Sequence, residues 1–164
     1  MERVFLLLGS NQGDKAEYLD KARARLAASA GELSAGSSVY RTAAWGKTDQ
    51  PDFFNQVIEL TTTMPPHDLL KEILSIEHAM GRKRLERWGE RIIDIDILLF
   101  GNRIINNHGL TIPHPQLPMR RFALAPLAEV AGDVIHPVTK ITINEMLAMC
   151  TDTLDVEKLE DSKI

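Results

Sequence analysis

The apolar and polar positions of this chain follow two periods, one typical of strands and one of helices. A continuous apolar run at residues 3–8 predicts a buried strand. Residues 14–30 carry apolar side chains at helical spacing and end before a glycine, so they predict a helix. The same order then returns: strands are predicted at residues 33–40 and 53–63, and a helix opened by two prolines is predicted at residues 65–80.

The second half of the chain is less regular. A mostly apolar strand is predicted at residues 92–100, and the Gly-Asn turn after it predicts a hairpin with residues 104–105. Residues 110–115 are expected to be extended, because a residue before proline avoids the helical region. Helices are predicted at 123–130, where an internal proline disturbs the pattern, and at 142–149, which opens with a capping box. This alternation predicts an α+β fold; a ferredoxin-like sandwich, with a mixed or antiparallel sheet and helices on its faces, is the simplest such fold.

Two aspartates interrupt the apolar strand at residues 92–100. Since side chains alternate across a strand, Asp94 and Asp96 are expected on one face, about 6.6 to 6.8 Å apart along the backbone. Two carboxylates at this spacing are suited to hold one divalent cation or to bridge two. A half-solvated strand without a metal remains the alternative. The side chains expected on the opposite face are Ile93, Ile95, Ile97 and Leu99.

A strongly basic segment precedes the aspartate strand. It contains two glycines, Trp88 and five cationic side chains, namely Arg82, Lys83, Arg84, Arg87 and Arg91. A basic loop that leads into an acidic strand has the chemistry needed to bind a metal together with a polyphosphate. The alternative is a solvated surface whose charges complement the dipole of the preceding helix.

Composition narrows the class of protein. The chain has 164 residues, of which 44% are hydrophobic and 26% charged, and we expect one domain over residues 1–164. The net charge of −4 argues against nucleic acid as a partner. The single cysteine, Cys150, and the lack of a long apolar run or a signal-like N-terminus predict a cytoplasmic protein that does not enter a membrane. The acidic tail, about residues 152–164, is expected to be loosely held.

Neither of the standard phosphate-binding loops occurs in the sequence, so side chains must hold any nucleotide. The polar, turn-rich residues 41–52 form a candidate lid, and the loops 42–50 and 82–91 are expected to close over a bound nucleotide. On the third predicted strand, Asn55 beside Phe53 has the chemistry to recognise a planar heterocycle. An asparagine that only caps a turn is the alternative.

Six sequence blocks, in this order, resemble the 6-hydroxymethyl-7,8-dihydropterin pyrophosphokinase family. They are Leu8-Gly9-Ser10-Asn11, Tyr40-Arg41-Thr42, Gln50-Pro51-Asp52-Phe53-Phe54-Asn55, Arg87-Trp88-Gly89-Glu90-Arg91-Ile92-Ile93-Asp94-Ile95-Asp96, Ile112-Pro113-His114-Pro115 and Arg120-Arg121-Phe122. The resemblance spans roughly residues 4–130. It implies transfer of pyrophosphate from ATP to the hydroxymethyl group of the pterin, giving AMP, in folate biosynthesis.

The resemblance also assigns roles to residues. It implies two Mg²⁺ ions at Asp94 and Asp96, with Arg82 and Arg91 as further catalytic residues. It places the pterin at Thr42, Ala44, Trp45, Phe53, Asn55, Trp88 and Phe122. It places ATP, the co-substrate, at Glu77, Arg82, Arg84, Arg87, Trp88, Arg91, Ile97, Thr111, His114 and Arg120. A monomer acting on these two small molecules is expected.

The sequence departs from the family pattern at a few positions. Ala43-Ala44 stands where the family commonly has prolines, Glu90 where it has proline, and Phe53 where it often has tyrosine. Arg121 beside Arg120 leaves two arginines as candidates for the phosphates, and the spacing to Phe122 favours Arg120. None of these changes removes an acidic metal ligand.

Two other classes of function remain as alternatives. A metal-dependent phosphohydrolase would use the same aspartate pair with water as the nucleophile. A nucleic-acid-binding module of ferredoxin-like fold would use the basic segment together with Phe53, Phe54 and Trp88 for stacking.

Overall fold

The structure, a computed structural model, describes residues 1–43, 50–81 and 92–159. Most of the predicted lid, the basic segment and the last five residues lie outside these ranges. The strands are β1 (Glu2–Ser10), β2 (Glu32–Gly36), β3 (Tyr40–Thr42), β4 (Phe53–Thr62), β5 (Asp94–Phe100), β6 (Ile105–Asn107), β7 (Leu110–Ile112) and β8 (Val156–Lys158). The helices are α1 (Lys15–Ser29), α2 (Pro66–Ala79), α3 (Arg121–Ala131) and α4 (Ile143–Met149), with a 3₁₀ turn at Leu117–Met119.

The main sheet is antiparallel throughout, and its strands run in the order β5-β1-β4-β3-β8, with β2 also paired to β4. Apart from the short β3, which lies between β2 and β4, the elements β1, α1, β2, β4, α2 and β5 follow one another as a β-α-β-β-α-β unit. Their spatial order, β5-β1-β4-β2, is that of a ferredoxin-like sheet. The predicted α+β fold with an antiparallel sheet is therefore confirmed.

Helices cover both faces of the sheet, which explains why β1 is apolar at consecutive positions. Its even-numbered side chains lie under α1 and α2, and its odd-numbered ones under α3 and α4. The first core includes Val4, Leu6, Leu8, Leu19, Leu26, Ile58, Ile73 and Ile95. The second includes Phe5, Leu7, Val57, Leu98, Leu99, Leu124, Leu127 and Ile143.

A bulge in β5 changes one predicted face. Phe5 pairs with Leu99 and Leu6 with Ile97, so Leu98 is an extra residue in the ladder. Ile97 stays in the core under α1 and α2, whereas Leu99 lies in the core under α3 and α4. The prediction that Leu99 shares a face with Ile97 was wrong, because strict alternation does not survive an inserted residue.

The predicted strand at residues 33–40 is divided into β2 and β3. At the break the Ser37 backbone N–H donates to the Val57 carbonyl at 2.8 Å, and the Ser37 hydroxyl accepts from the Val57 N–H at 3.0 Å. The buried Gln56 side chain donates to the Ser37 carbonyl at 2.7 Å. Side-chain bonds thus replace part of the strand ladder here, and the apolar periodicity of the sequence does not indicate the break.

Two further expectations were wrong. The hairpin forms one step later than predicted: β6 pairs with β7, joined by His108 and Gly109, which have φ of 47° and 79°. Both angles are positive, as a two-residue hairpin turn requires. The acidic tail is not loosely held over its described part, because β8 pairs with β3 as an edge strand.

The four predicted helices are confirmed, with small shifts at their ends. Asp14 caps α1 through the Glu17 N–H at 3.1 Å. The capping box of α4 is formed by Thr142 and Glu145. Helix α3 begins at Arg121, two residues earlier than predicted, and continues through its internal proline. None of the helices in the described part of the chain has the length and apolar character needed to cross a bilayer.

The cap of α4 gives a first test. Thr142→Ala removes the oxygen that accepts from the Glu145 N–H at 3.1 Å. We expect it to lower the free energy of unfolding by about 1 kcal/mol, the usual effect of losing such a cap. Thr139→Ala is the matched control, since this exposed threonine uses only its backbone N–H, toward His136. Urea unfolding of both variants measures the difference, and equal losses would contradict the assignment.

Candidate active site

Asp94 and Asp96 lie on the face of β5 opposite the core that contains Ile93 and Ile95, as the alternation predicts. Both carboxylates are half-buried. Within the ranges that the structure describes, no three acidic, histidine or cysteine side chains gather as a metal site. Mg²⁺ is nevertheless commonly held by one or two carboxylates together with substrate phosphates, so this pair fits Mg²⁺.

Gly9 lies between an acidic residue and an amide on the neighbouring strands. It pairs with Asp94 of β5 on one side and with Asn55 of β4 on the other. A Cβ atom on Gly9 would stand 2.7 Å from Asn55 Oδ1 and 3.6 Å from Phe53 Cδ1. The missing side chain therefore lets the Asn55 amide and the Phe53 ring lie close over β1 at this point. The sequence motif contained Gly9, but only the strand pairing reveals this role.

Asn55 presents an acceptor beside an aromatic ring. Its Nδ2 donates to Thr42 Oγ1 at 2.7 Å, and both side chains are buried. The amide is thus oriented by Thr42, and Oδ1 is the atom that a Cβ on Gly9 would meet. Asn55 lies inside β4 and its amide bonds Thr42 on the adjacent strand, so among the described residues it does not cap a turn. The arrangement suits a flat heterocycle that donates a hydrogen bond at its edge.

His114 is held in the neutral form with its proton on Nε2. Its Nδ1 accepts from the Gln116 backbone N–H at 3.2 Å, and the backbone N–H of His114 donates to the Leu98 carbonyl at 3.0 Å. Burial lowers the pKa of His114 to about 4; the nearby Arg120 charge adds to this, and the Asp94 carboxylate opposes it. The side chain is therefore a neutral hydrogen-bond donor within the influence of both Asp94 and Arg120.

The two adjacent arginines take different partners. Arg121 donates through Nε to the Asp152 carbonyl at 3.0 Å and through Nη2 to the Cys150 carbonyl at 2.8 Å. Arg120 instead bonds Gln116 and lies 5.5 Å from the centre of the Phe122 ring. Arg120 is thus on the side of His114, whereas Arg121 holds the start of the C-terminal segment.

A cleft of about 260 Å³ runs along the outer edge of β5, between α2 and β7. At its floor the buried Glu77 carboxylate accepts from the Ile95 N–H at 2.8 Å. Alternate residues of an antiparallel strand direct their backbone groups to the same side, so the N–H and C=O of Ile97 also face this cleft. Its lining includes Leu70, Ile73, Glu77, Asp96, Ile97, Thr111 and His114.

The described residues therefore bring most of the predicted positions to one end of the sheet. Seven predicted site residues lie outside the described ranges: Ala44, Trp45, Arg82, Arg84, Arg87, Trp88 and Arg91. Next to the first gap, the buried Asn11 side chain donates to Gln50 Oε1 at 2.8 Å and to the Pro51 carbonyl at 3.2 Å. This anchor holds the chain where it enters β4, and only the structure reveals it.

A model of one protein family, 7,8-dihydro-6-hydroxymethylpterin-pyrophosphokinase (HPPK), matches residues 5–132. The chain belongs to this family. The HPPK resemblance expected from the sequence blocks is confirmed, and the family match extends from β1 to the end of α3.

Two relatives named 2-amino-4-hydroxy-6-hydroxymethyldihydropteridine pyrophosphokinase align over nearly the whole HPPK chain. The protein of Methylorubrum extorquens is 44% identical over 161 residues, which cover 98% of this chain and 100% of the relative. That of Haemophilus influenzae is 42% identical over 153 residues, which cover 93% and 95%.

Solved structures support the same fold. The wild-type HPPK-DHPS of Plasmodium falciparum with pteroate matches with a TM-score of 0.73 at 18% identity, over 90% of this chain and 42% of that one. An HPPK-DHPS complex with substrates matches with a TM-score of 0.72 at 14% identity, over 43% of its chain. This HPPK chain therefore spans less than half of those HPPK-DHPS chains, and the likeness to them concerns the fold.

The position of Gly9 gives a second test. Gly9→Ala places a methyl group 2.7 Å from Asn55 Oδ1, so we expect a loss of about 1 to 3 kcal/mol in the free energy of unfolding. In an Asn55→Ala background the obstructing amide is absent, and the same change should cost much less. Urea unfolding of the two single variants and the double variant measures this coupling. Additive losses would show that the methyl group meets something other than Asn55.

His114 predicts a pH dependence of stability. Its folded pKa of about 4 lies below the ordinary 6.5, so the unfolded chain binds the proton more tightly. The contribution of neutral His114 to the free energy of unfolding is complete above pH 6.5 and is lost as the pH falls toward 4. Relative to His114→Asn, the wild type should therefore lose up to about 3 kcal/mol over this range, since one pKa unit corresponds to about 1.4 kcal/mol.

The matched control for this measurement is His78→Asn, which replaces an exposed histidine near the end of α2. Chemical unfolding at several pH values between 4 and 7 measures all three proteins. His78→Asn should follow the wild type, whereas His114→Asn should show the flatter profile. Parallel profiles for wild type and His114→Asn would contradict the neutral, buried state of His114.

Proposed function

We propose that this HPPK chain transfers the pyrophosphoryl group of ATP to the hydroxymethyl oxygen of 6-hydroxymethyl-7,8-dihydropterin, releasing AMP, as a step of folate biosynthesis. One observation carries the proposal. The half-buried pair Asp94 and Asp96 lies between a buried amide, Asn55, on one side and the cleft beside β5 on the other. A phosphoryl donor and an acceptor heterocycle can therefore meet over the carboxylates.

The cleft along β5 is the proposed nucleotide site. Its apolar lining from α2 and the backbone edge at Ile97 suit a nucleobase, which can pair with a strand edge as a neighbouring strand would. Thr111 and Glu77 line the same cleft. His114 and Arg120 lie toward Asp94, where a neutral N–H donor and a guanidinium can bind phosphate oxygens.

The pterin is proposed to lie over Gly9. Oδ1 of Asn55 accepts a hydrogen bond from the edge of the ring, and the rings of Phe53 and Phe122 are the described aromatic side chains assigned to it. Phe53 reaches within 3.6 Å of the space that a side chain on Gly9 would fill. Thr42 serves by orienting the amide.

Asp94 and Asp96 are the proposed holders of Mg²⁺, two ions in the family pattern. When bound, Mg²⁺ neutralises phosphate charge and aligns the attacking and leaving oxygens. The chain supplies the rest by position. The carboxylates share one face of a strand, His114 keeps a donor without adding charge, and Arg120 adds one positive charge at the phosphates. The arginines Arg82, Arg84, Arg87 and Arg91, together with Ala44, Trp45 and Trp88, complete the proposal from outside the described ranges.

The physical basis of the rate enhancement follows from these positions. Phosphoryl transfer requires the attacking oxygen, phosphorus and leaving oxygen in line, and needs little covalent help from the protein. The hydroxymethyl oxygen forms a bond to the β-phosphorus and loses its proton to solvent, and the bond from that phosphorus to the bridging α,β-oxygen breaks, so AMP leaves. Holding both substrates against one rigid sheet provides most of the alignment.

Further features of the proposal concern the whole protein. We propose one domain acting as a monomer on two small molecules, in the cytoplasm. The continuous sheet from β5 to β8 supports a single domain, and the single, buried Cys150 fits a reducing compartment.

The decisive measurement is AMP formation from ATP and Mg²⁺, with and without 6-hydroxymethyl-7,8-dihydropterin. Wild type should release AMP only with the pterin, and Asp96→Asn should lower the rate by about 100-fold or more, since a lost metal ligand misaligns the phosphates. Asp133→Asn makes the same charge change at an exposed site and should act like wild type. ATP consumption without pterin would instead indicate the phosphohydrolase.

A further inference from the structure

The carboxylate of Glu129, on α3, gathers donors from two strands. It accepts from the Tyr40 hydroxyl at 2.7 Å and from the Ser38 N–H at 2.9 Å and hydroxyl at 3.3 Å. Lys158 of β8 lies 3.6 Å away as an ion pair. Both carboxylate oxygens are engaged, and the group is shielded from solvent, with 17% of its side chain exposed. The residue does not belong to the site described above.

The segment that Glu129 holds is the break between β2 and β3. On the other face of the sheet, Arg23 of α1 donates to Gln56 Oε1 at 2.6 Å, and Gln56 in turn donates to the Ser37 carbonyl at 2.7 Å. The break is therefore held from both faces by side chains. Because no continuous ladder spans the break, these contacts define where β3 begins.

β3 carries Thr42, which orients the amide of Asn55, the proposed hydrogen-bond acceptor for the pterin. Tyr40 pairs with Asn55 in the ladder, and Thr42 pairs with Phe53. Thr42 lies on the same face of β3 as Tyr40, two residues on, and bonds the Asn55 amide. A shift of the Tyr40 ring toward or away from α3 would therefore move Thr42, and with it Asn55 Oδ1.

The C-terminal strand β8 also pairs with β3. Lys158 pairs with Tyr40 and Val156 with Thr42, and the Leu159 N–H donates to the Val39 carbonyl at 2.9 Å. The family match ends at residue 132, so β8 lies beyond it. Glu129 joins α3, β3 and β8 at one point.

We propose that Glu129 is a positioning residue for the pterin subsite, which acts by holding Tyr40 and Ser38 and so fixing the Thr42–Asn55 pair. This inference rests on the proposed function, because it takes Thr42 and Asn55 to contact the pterin. It predicts that changing Glu129 weakens binding of the pterin but not of ATP, whose proposed site lies across the sheet at β5.

The electrostatics fit this role. Burial opposes the charge of Glu129, but the bonds from Tyr40 and Ser38 and the charge of Lys158 outweigh it and keep the pKa of Glu129 below its usual range. Burial and the same carboxylate raise the pKa of Tyr40, so its hydroxyl remains a donor. A charged acceptor strengthens each of these hydrogen bonds, which favours a single position for the ring.

The test compares equilibrium binding of the two substrates to the full chain. Dissociation constants are measured for 6-hydroxymethyl-7,8-dihydropterin by its fluorescence, and for a non-hydrolysable ATP analogue with Mg²⁺ by calorimetry. Tyr40→Phe and Glu129→Gln keep the shapes of the side chains and remove the bond or the charge. Each should weaken pterin binding by about fivefold or more, the range expected for a misplaced polar contact, and change binding of the ATP analogue by less than about twofold.

Two control variants distinguish a wrong pterin subsite from a wrong role for Glu129. Thr142→Ala destabilises α4 in the same helical layer without touching β3, and it should leave both dissociation constants as in wild type. Asn55→Leu removes the amide itself and should weaken pterin binding at least as much as Glu129→Gln. If Asn55→Leu has no effect on pterin binding, the proposed subsite is wrong. If only Asn55→Leu weakens pterin binding, Glu129 is structural and the inference is overturned. The same holds if Tyr40→Phe and Glu129→Gln weaken binding of both substrates together.

Discussion

The site depends on one central strand, β1, held between β4 and β5 and buried on both faces. Adjacent strands of a sheet lie about 4.8 Å apart, so the residues that flank Gly9 on either side are about 10 Å from each other. These residues are Asp94 and Asn55. A carboxylate and an amide are thereby held at a separation that backbone hydrogen bonds determine, and the absence of a side chain at Gly9 lets the Asn55 amide lie close over β1.

The edge position of β5 places a cleft beside the strand, which is the proposed nucleotide site. An edge strand exposes backbone groups that another molecule can use. Other groups of the protein already bond part of this edge. The Glu77 carboxylate accepts from the Ile95 backbone N–H, and the His114 backbone N–H donates to the Leu98 carbonyl. The backbone of Ile97 lies between these two contacts and faces the cleft. Because α2 and β7 shield the edge, it is suited to a small ligand and not to a further strand.

Charge is distributed unequally between the two sides of the site. The described residues assigned to the proposed pterin subsite are neutral, namely Thr42, Asn55, Phe53 and Phe122, whereas the proposed phosphate side combines acidic residues with Arg120. His114 lies among these charges and stays neutral because it is buried and lies beside a guanidinium. A second positive charge there would compete with the proposed Mg²⁺ for the carboxylates.

The sequence by itself determined the family, the α+β class, four helices and the opposing faces of Asp94 and Ile95. These follow from local order, since helical spacing, strand alternation and short motifs are properties of neighbouring residues. Tertiary structure decided the rest: the bulge that turns Leu99 to the other face, the break at Ser37, the pairing of β8, and the placement of Gly9 between Asp94 and Asn55. Each depends on which strand lies beside which, and residues distant in the chain make those contacts, so no local pattern records them.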